Sequence, residues 1–354
     1  MNKAKKIKEI LIYFLYTRIF LIAIMFICNI LLKLKYPQIN SILNIWDGEH
    51  YINIAYNGYR SNYLYAFFPG IPFLIKYLSP IGVVLLNQIF VILTSYLIYL
   101  IGHKHLKLKN PINAVIVYLI SPVAIFSMLP YTESLFIFLS TYSYYLYKEK
   151  KNYYLLGIIL GTCSLVRSTG CVIFFSIFIM MTIDWFKKKI KLKNIFKTYI
   201  IATIISCIYP AYLYIKTGSP FTFTTVQNIY WARINTNPIM FLYDTIKVTI
   251  NSPNVVYIIN SILSLIIMTF IMIKSIKWIK GKTNLDLSIY SILTILFLMF
   301  SIRKTGDPLT SYYRYLFACF PIYFMVPHNS KIYKAIGIFS VIASILLLTR
   351  TYFF

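Results

Sequence analysis

Apolar runs of about 20 residues recur along nearly the whole chain, and a run of that length is what one helix needs to cross the ~30 Å hydrocarbon core of a bilayer. They fall at approximately 10–32, 81–102, 111–129, 132–147, 153–169, 170–186, 195–215, 255–273, 286–302, 313–327 and 332–350. With 59% hydrophobic and 12% charged residues, a water-soluble chain of 354 residues could not cover its own surface, whereas a bilayer takes apolar surface as its solvent. The expected fold class is an all-α polytopic membrane protein with about eleven transmembrane helices in a single domain spanning 1–354. The opening stretch, lysine-rich to Glu9 and then apolar from Ile10 to Leu32, reads as an uncleaved first span. It is too long for a secretory signal and lacks a small-residue cleavage site.

The net charge of +26 does not point to nucleic acid, because the basic residues form no single patch. They sit between the apolar runs. With the N-terminus in the cytoplasm, the inside segments hold Lys3 to Lys8, Lys104 to Lys109, Lys148 to Lys151, Lys187 to Lys197, Lys274 to Lys282, and Lys331 with Lys334. Nearly every arginine falls outside or within a span, so the positive-inside rule selects this orientation. Prolines near span ends, Pro122, Pro130, Pro210 and Pro321, predict broken or tilted helices there. The five cysteines lie in apolar stretches without metal-ligand spacing, which supports neither a disulfide framework nor a zinc site.

Acids are scarce, nine in all, so each one near the membrane is a candidate for function. Three outer segments are long enough to do more than connect: 33–80, 216–254 and 303–313. The first carries Trp46-Asp47-Gly48-Glu49-His50-Tyr51, and residues 48–57 fit a short amphipathic helix lying at the interface. Asp47 would stand at the N-terminus of that helix, either as a cap accepting backbone N–H bonds or as a general base with Glu49 and His50 nearby. Glu133 opens an otherwise apolar span within Pro130-Tyr131-Thr132-Glu133-Ser134-Leu135, and Arg167 lies near the outer end of another. A guanidinium at that depth requires a carboxylate or a phosphate, so a structural Arg167–Glu133 pair competes with phosphate binding. Further outer candidates are Gln227, Trp231 and Arg233, then Arg303, Lys304 and Arg314. All of them fall on one side of the membrane, away from cytoplasmic nucleotides. No glycine-rich phosphate loop or Rossmann fingerprint is present, so a transferase here would need its activated donor delivered as a lipid.

These residues carry a resemblance. The run Trp46-Asp47-x-x-His50-Tyr51-x-x-Ile54-Ala55-x-x-Gly58-Tyr59, followed by Ala66-Phe67-Phe68-Pro69-x-x-Pro72, resembles the first lumenal loop of PIG-V-type enzymes, the GPI mannosyltransferase 2 family and its prokaryotic relatives. Ser121-Pro122-x-x-x-Phe126 with Pro130-Tyr131-Thr132-Glu133-Ser134-Leu135-Phe136 is similar to the family's second signature. Arg167-Ser168 is similar to a third, and Gln227 to Trp231 to a weaker fourth, with a loose echo at Arg314. Ile45 stands where the family often has arginine.

The resemblance implies a GT-C-like inverting glycosyltransferase whose first extracytoplasmic loop carries short interfacial helices. It implies a hexose, mannose above all, moved from a dolichyl- or undecaprenyl-phosphate-type donor to a glycan, glycolipid or protein acceptor. Asp47 would be the base on the acceptor hydroxyl. Trp46, Glu49, His50 and Glu133 would support it, while Arg167, Arg314, Gln227 and Trp231 would hold the donor phosphate. No Asp-x-Asp pair is present, so neither a metal nor another cofactor is expected. The abundance of Ile, Lys, Tyr and Asn suggests an AT-rich prokaryote, hence a cell-membrane protein with its active site extracytoplasmic. The competing class is a polytopic transporter or lipid-linked sugar flippase, which commonly shows two related halves; no such symmetry is evident. A third class, a non-catalytic subunit of a membrane complex, is disfavoured by the presence of Asp47.

Overall fold

The structure is a computed structural model that describes residues 3–35 and 42–350. It is a helical membrane protein. Five helices are long and apolar enough to cross a bilayer: Ala4–Lys35, Gly70–His105, Leu192–Thr217, Val255–Lys280 and Ser330–Leu348. Shorter apolar helices run over Tyr153–Val166, Gly170–Phe186 and Leu285–Met299. Their outward faces are apolar, as in Leu15, Ile19 and Phe26 of the first helix and Ile259, Ile262 and Ile266 of Val255–Lys280, all exposed. Surface of that kind is at rest only in lipid.

The chain divides into two compact units. The first comprises Met1–Gly58, Gly70–Lys148 and Tyr323–Phe354. Its helices are α1 (Lys3–Lys35), α2 (Asp47–Asn57), α3 (Gly70–Leu100), α4 (Ile112–Ile120) and α5 (Glu133–Glu149), closed by the helix Ser330–Leu348. The amphipathic helix expected at 48–57 is α2, with Gly48, Tyr51, Ile54 and Ala55 buried along one stripe. Helix α3 begins inside the expected outer loop and bends at Ser79 (φ 66°), because Pro80 excludes the helical conformation from the residue before it. The chain expected to cross at 111–129 is not one helix. It ends as α4 at Ile120 and resumes as a 3-10 turn over Ala124–Met128, with Pro122 in the break.

Backbone groups freed by such a break must find partners inside the protein. Side chains supply them. Asn87 donates to Leu129 O (3.0 Å), Gln88 to Ser127 O (2.7 Å), and Ser340 to Ser121 O (3.1 Å). The Arg18 guanidinium, buried midway along α1, donates to Gln88 Oε1 at 3.3 Å and to Ser127 Oγ. Helix α5 is buried on nearly every side, including Ser140, Thr141, Ser143 and Tyr144.

The second unit comprises Tyr59–Pro69 and Glu149–Ile322. In chain order it holds α6 (Tyr153–Val166), α7 (Gly170–Phe186), α8 (Leu192–Ser206), α9 (Ile208–Thr217), α10 (Thr222–Trp231), β1 (Arg233–Asn235), α11 (Pro238–Ile250), α12 (Val255–Lys280), α13 (Leu285–Met299), β2 (Ser301–Arg303) and α14 (Tyr312–Ala318). Asn152, Asn237 and Asn254 cap α6, α11 and α12 by accepting backbone N–H bonds, as Asn329 does for the closing helix of the first unit. Helices α6 and α8 approach closely because Gly157 and Gly161 face α8. A Cβ at Gly157 would lie 2.5 Å from Thr198 O, and one at Gly161 would lie 2.8 Å from Ala202 O.

Two further features differ from expectation. The all-α chain contains one antiparallel ribbon, in which Arg233, Ile234 and Asn235 pair with Arg303, Ile302 and Ser301. The segment expected to cross at 313–327 is helical over Tyr312–Ala318 and again over Ile322–Met325, with Pro321 in the break.

Candidate active site

The turn into α2 presents Asp47. Trp46 holds the left-handed conformation (φ 49°), and the chain reverses tightly enough that a Cβ on Gly48 would lie 2.8 Å from Leu43 O and 3.2 Å from the Tyr131 ring. Only a residue without a side chain fits there. The Tyr131 hydroxyl donates to Ile45 O at 3.0 Å, and its ring meets Tyr51 edge-on with centroids 6.3 Å apart. Arg350 Nη2 donates to Asn44 O at 2.7 Å, and the Trp46 indole N–H donates to Leu347 O at 3.2 Å. The strained turn is therefore pinned by the start of α5 and by the end of the closing helix, and left-handed backbone at a bulky residue persists only where its surroundings impose it.

Asp47 is the first residue of α2, half-buried, on the stripe that continues through Tyr51 and Ile54. His50 is also half-buried, while Glu49 is exposed, about 200° around the helix from Asp47. Glu133 opens α5 at 1% exposure, with Thr132 Oγ1 3.5 Å from its Oε2. It shares the wall of a small void with Arg18, Tyr118 and Ser127. Trp46, Asp47, Glu49, His50 and Glu133 all belong to the first unit, and Tyr131 ties the first sequence signature to the second.

Arg167, Arg314, Gln227 and Trp231 belong to the second unit. Arg167, 6% exposed, ends α6, and its guanidinium lies over the Tyr315 ring at 4.5 Å from the centroid. Arg314 is buried in α14, one residue before that tyrosine. Trp231 packs edge-on against Phe67 at 5.5 Å and near Tyr63 at 6.3 Å. Tyr209 donates to Tyr65 O at 2.8 Å and Tyr59 to Phe67 O at 2.8 Å, which fixes the Tyr59–Pro69 segment against α9 and α10. The later half of the first signature and the weak fourth signature thus share one aromatic core.

Gln227 lines a cavity of about 710 Å³ in the second unit. Its walls combine aromatic side chains, among them Phe174, Phe175, Phe221, Phe223, Phe297 and Phe300, with hydroxyls such as Ser164, Thr203, Ser206 and Thr224. Ser168 and Thr169, next to Arg167, and Tyr315, next to Arg314, also face it, and Arg233 is the charged side chain among the described lining residues. Behind the ribbon, Asp307 (2% exposed) accepts from Asn260 Nδ2 (2.6 Å), Leu309 N (3.0 Å) and Ser261 Oγ (3.3 Å). Burial pushes its pKa up to about 6, against the pull of those donors and of Arg303.

Sequence reasoning did not single out Tyr131 by itself, nor Arg18, Arg350 or Asp307. The acidic scarcity that drew attention to Asp47 and Glu133 applied equally to Asp307. The contacts of Arg18 and Arg350 join distant positions and leave no local signal. Another acid, Asp184, has a structural partner, since Lys150 Nζ lies 3.0 Å from its Oδ2. Among the described residues, no three His, Cys, Asp or Glu side chains gather as metal ligands would.

Comparison with known proteins gives a partial likeness. Over 147 aligned residues, covering 37% of this chain and 30% of the relative, it is 31% identical to the GPI alpha-1,6-mannosyltransferase 2 of Mus musculus. It is 30% identical over the same length to the proteins of that name from Rattus norvegicus and Cricetulus griseus. The match spans under a third of those relatives' length. No protein-family description matches the chain, and no solved structure does.

Proposed function

We propose that the protein is an inverting glycosyltransferase that moves a hexose, mannose first among them, from a polyprenyl-phosphate donor to a glycan, glycolipid or protein acceptor. The site would lie on the extracytoplasmic side of a cell membrane that a GT-C-like chain of about eleven crossings traverses. The observation that carries this reading is the presentation of Asp47. A carboxylate heads a short half-buried helix, behind a strained turn held by hydrogen bonds from Tyr131, Trp46 and Arg350. A mere surface acid needs no such support. The partial identity to mannosyltransferases supports the same class.

In the proposed reaction, Asp47 accepts the proton of an acceptor hydroxyl as its oxygen attacks the anomeric carbon of the donor sugar. The bond from that carbon to the phosphate oxygen breaks on the opposite face, so the configuration inverts. The lipid phosphate departs with the bonding pair, and its charge is met by guanidinium groups, Arg167 and Arg314 being the sequence-derived candidates. His50 and Glu133 position the acceptor side.

The test supplies the purified protein with short-chain polyprenyl-phosphate mannose, glucose or galactose and a panel of mannoside and lipid acceptors. Transfer from the mannose donor is the expected result. Absence of transfer from all three, with movement of the lipid-linked sugar across proteoliposomes, contradicts the proposal and selects the flippase class.

A further inference from the structure

The cavity of the second unit has an uneven wall. Aromatic side chains share it with the hydroxyls of Ser164, Ser168, Thr169, Thr203, Ser206 and Thr224, and its charged end is the two-stranded ribbon, where Arg233, Asn235 and Ser301 line it. Directly paired residues of an antiparallel ribbon share a face, so Arg303, paired with Arg233, lies on that face too. Ile234 and Ile302 alternate to the other side, where Ile302 is buried. Two arginines set opposite each other repel unless anions offset them. Asp307 supplies one offset, beside Arg303. Among the described residues Arg233 has no such carboxylate. Its Nη2 donates to Thr310 O at 2.8 Å, and its guanidinium also bonds the Tyr312 side chain, whose ring centroid stands 5.9 Å away. An arginine carries five N–H donors, so most of its capacity remains for a ligand. The buried Nε of Arg303 is likewise without a hydrogen-bond partner among the described residues.

We infer that Arg233, in addition to the candidates Arg167 and Arg314, reads the phosphate of a lipid phosphate seated in this cavity, with Arg303 reinforcing the positive field from the paired strand. This rests on the lipid-linked donor proposed above and adds a residue that the sequence signatures do not assign, in the cavity that Gln227 also lines. The aromatic walls take the first part of a hydrocarbon chain, and the ribbon takes the phosphate oxygens. A cavity of about 710 Å³ is within the ordinary range for small-ligand sites, roughly 300–1,000 Å³, so it accommodates the head and the near end of a long chain. Guanidinium is suited to phosphate because its planar fork donates two parallel bonds to two oxygens.

The test is a binding comparison on the full-length protein in nanodiscs, using farnesyl phosphate, farnesol and inorganic phosphate. The parent is expected to bind farnesyl phosphate at least 10-fold more tightly than farnesol. Arg233→Gln is expected to lose that preference while keeping its affinity for farnesol. Arg233→Lys should keep part of it. Asn235→Asp, an exposed change on the same face, should reduce farnesyl phosphate binding without disturbing a buried bond, which guards against misfolding of the arginine variant. Lys193→Gln removes an exposed charge that lines no part of the cavity and should leave the preference intact. If Arg233→Gln and Asn235→Asp both retain the parent's preference, the assignment is overturned. If inorganic phosphate at the same concentration displaces farnesyl phosphate as well as unlabelled farnesyl phosphate does, the site reads free phosphate and the lipid assignment is overturned. Sugar transfer is measured separately. A parent that transfers sugar while its lipid preference ignores Arg233 rejects this inference alone, whereas a parent that neither transfers sugar nor prefers farnesyl phosphate rejects the glycosyltransferase reading as well.

Discussion

The hydroxyl of Tyr131 reaches the carbonyl of Ile45 across 86 positions of chain, and that bond fixes the turn from which Asp47 emerges. Ile45 is fully buried, and its carbonyl also accepts from Gly48 N–H at 3.0 Å, so losing the hydroxyl leaves it with one partner instead of two. Tyr131→Phe keeps the ring and removes only the hydroxyl. It should cost about 0.5–1.5 kcal/mol, the net contribution of a typical hydrogen bond, and lower kcat because the Trp46 turn loosens. Thermal unfolding of the purified variant, with kcat measured beside it, checks both effects, and an unchanged melting temperature would show that the bond does not hold the turn. At this scale the sequence announces some residues and hides others. Asp47 and Glu133 stand out because acids are rare in an apolar chain, and Tyr131 lies inside a recognisable run. Arg350 is legible in no window, because its partner Asn44 is 306 positions away.

Helix α2 was legible because its buried positions follow the 3.6-residue period. The breaks at Pro122 and Pro321 were legible as sites of interruption. Their extent was not, since a long apolar run reads as a continuous helix until tertiary partners such as Gln88 and Ser340 satisfy the freed carbonyls. The ribbon was invisible, because three-residue strands carry no periodicity. The packing of α6 on α8 rests on two glycines four apart, Gly157 and Gly161, which the sequence reading did not single out. Gly161→Leu would drive a side chain into Ala202 O and Ile205, and overpacking of this kind typically costs about 1–3 kcal/mol. A melt of the variant should show that loss, whereas a melt unchanged from the parent would contradict the close approach. The loop behind the ribbon carries a pH signature. The folded pKa of Asp307, about 6, lies above the ordinary carboxylate value, so the folded state favours the protonated form. Its contribution is fully present below about pH 4 and is lost as pH rises through 6, up to roughly 3 kcal/mol. Asp307→Asn should flatten this part of the stability profile, and a variant with the parent's full pH dependence between 4 and 7 would show that another group carries it.

For the molecule as a whole, composition settles the solvent and lysine placement proposes the orientation, while neither specifies chemistry. Exposed faces such as Leu15, Ile19 and Phe26 show that lipid completes the fold. The quoted signatures divide between the two units: Trp46 to Gly58 with Tyr131 to Phe136 in the first, and Tyr59 to Pro69 with Arg167 and Gln227 to Trp231 in the second. The most direct measurement is glycosyl transfer by Asp47→Asn against the parent, each checked for equal folding by thermal unfolding and supplied with the same polyprenyl-phosphate mannose. Loss of ~10²-fold or more in kcat is predicted, the usual contribution of a general base. Transfer at the parent's rate by an equally folded variant would contradict the account and leave Asp47 as the structural head of α2.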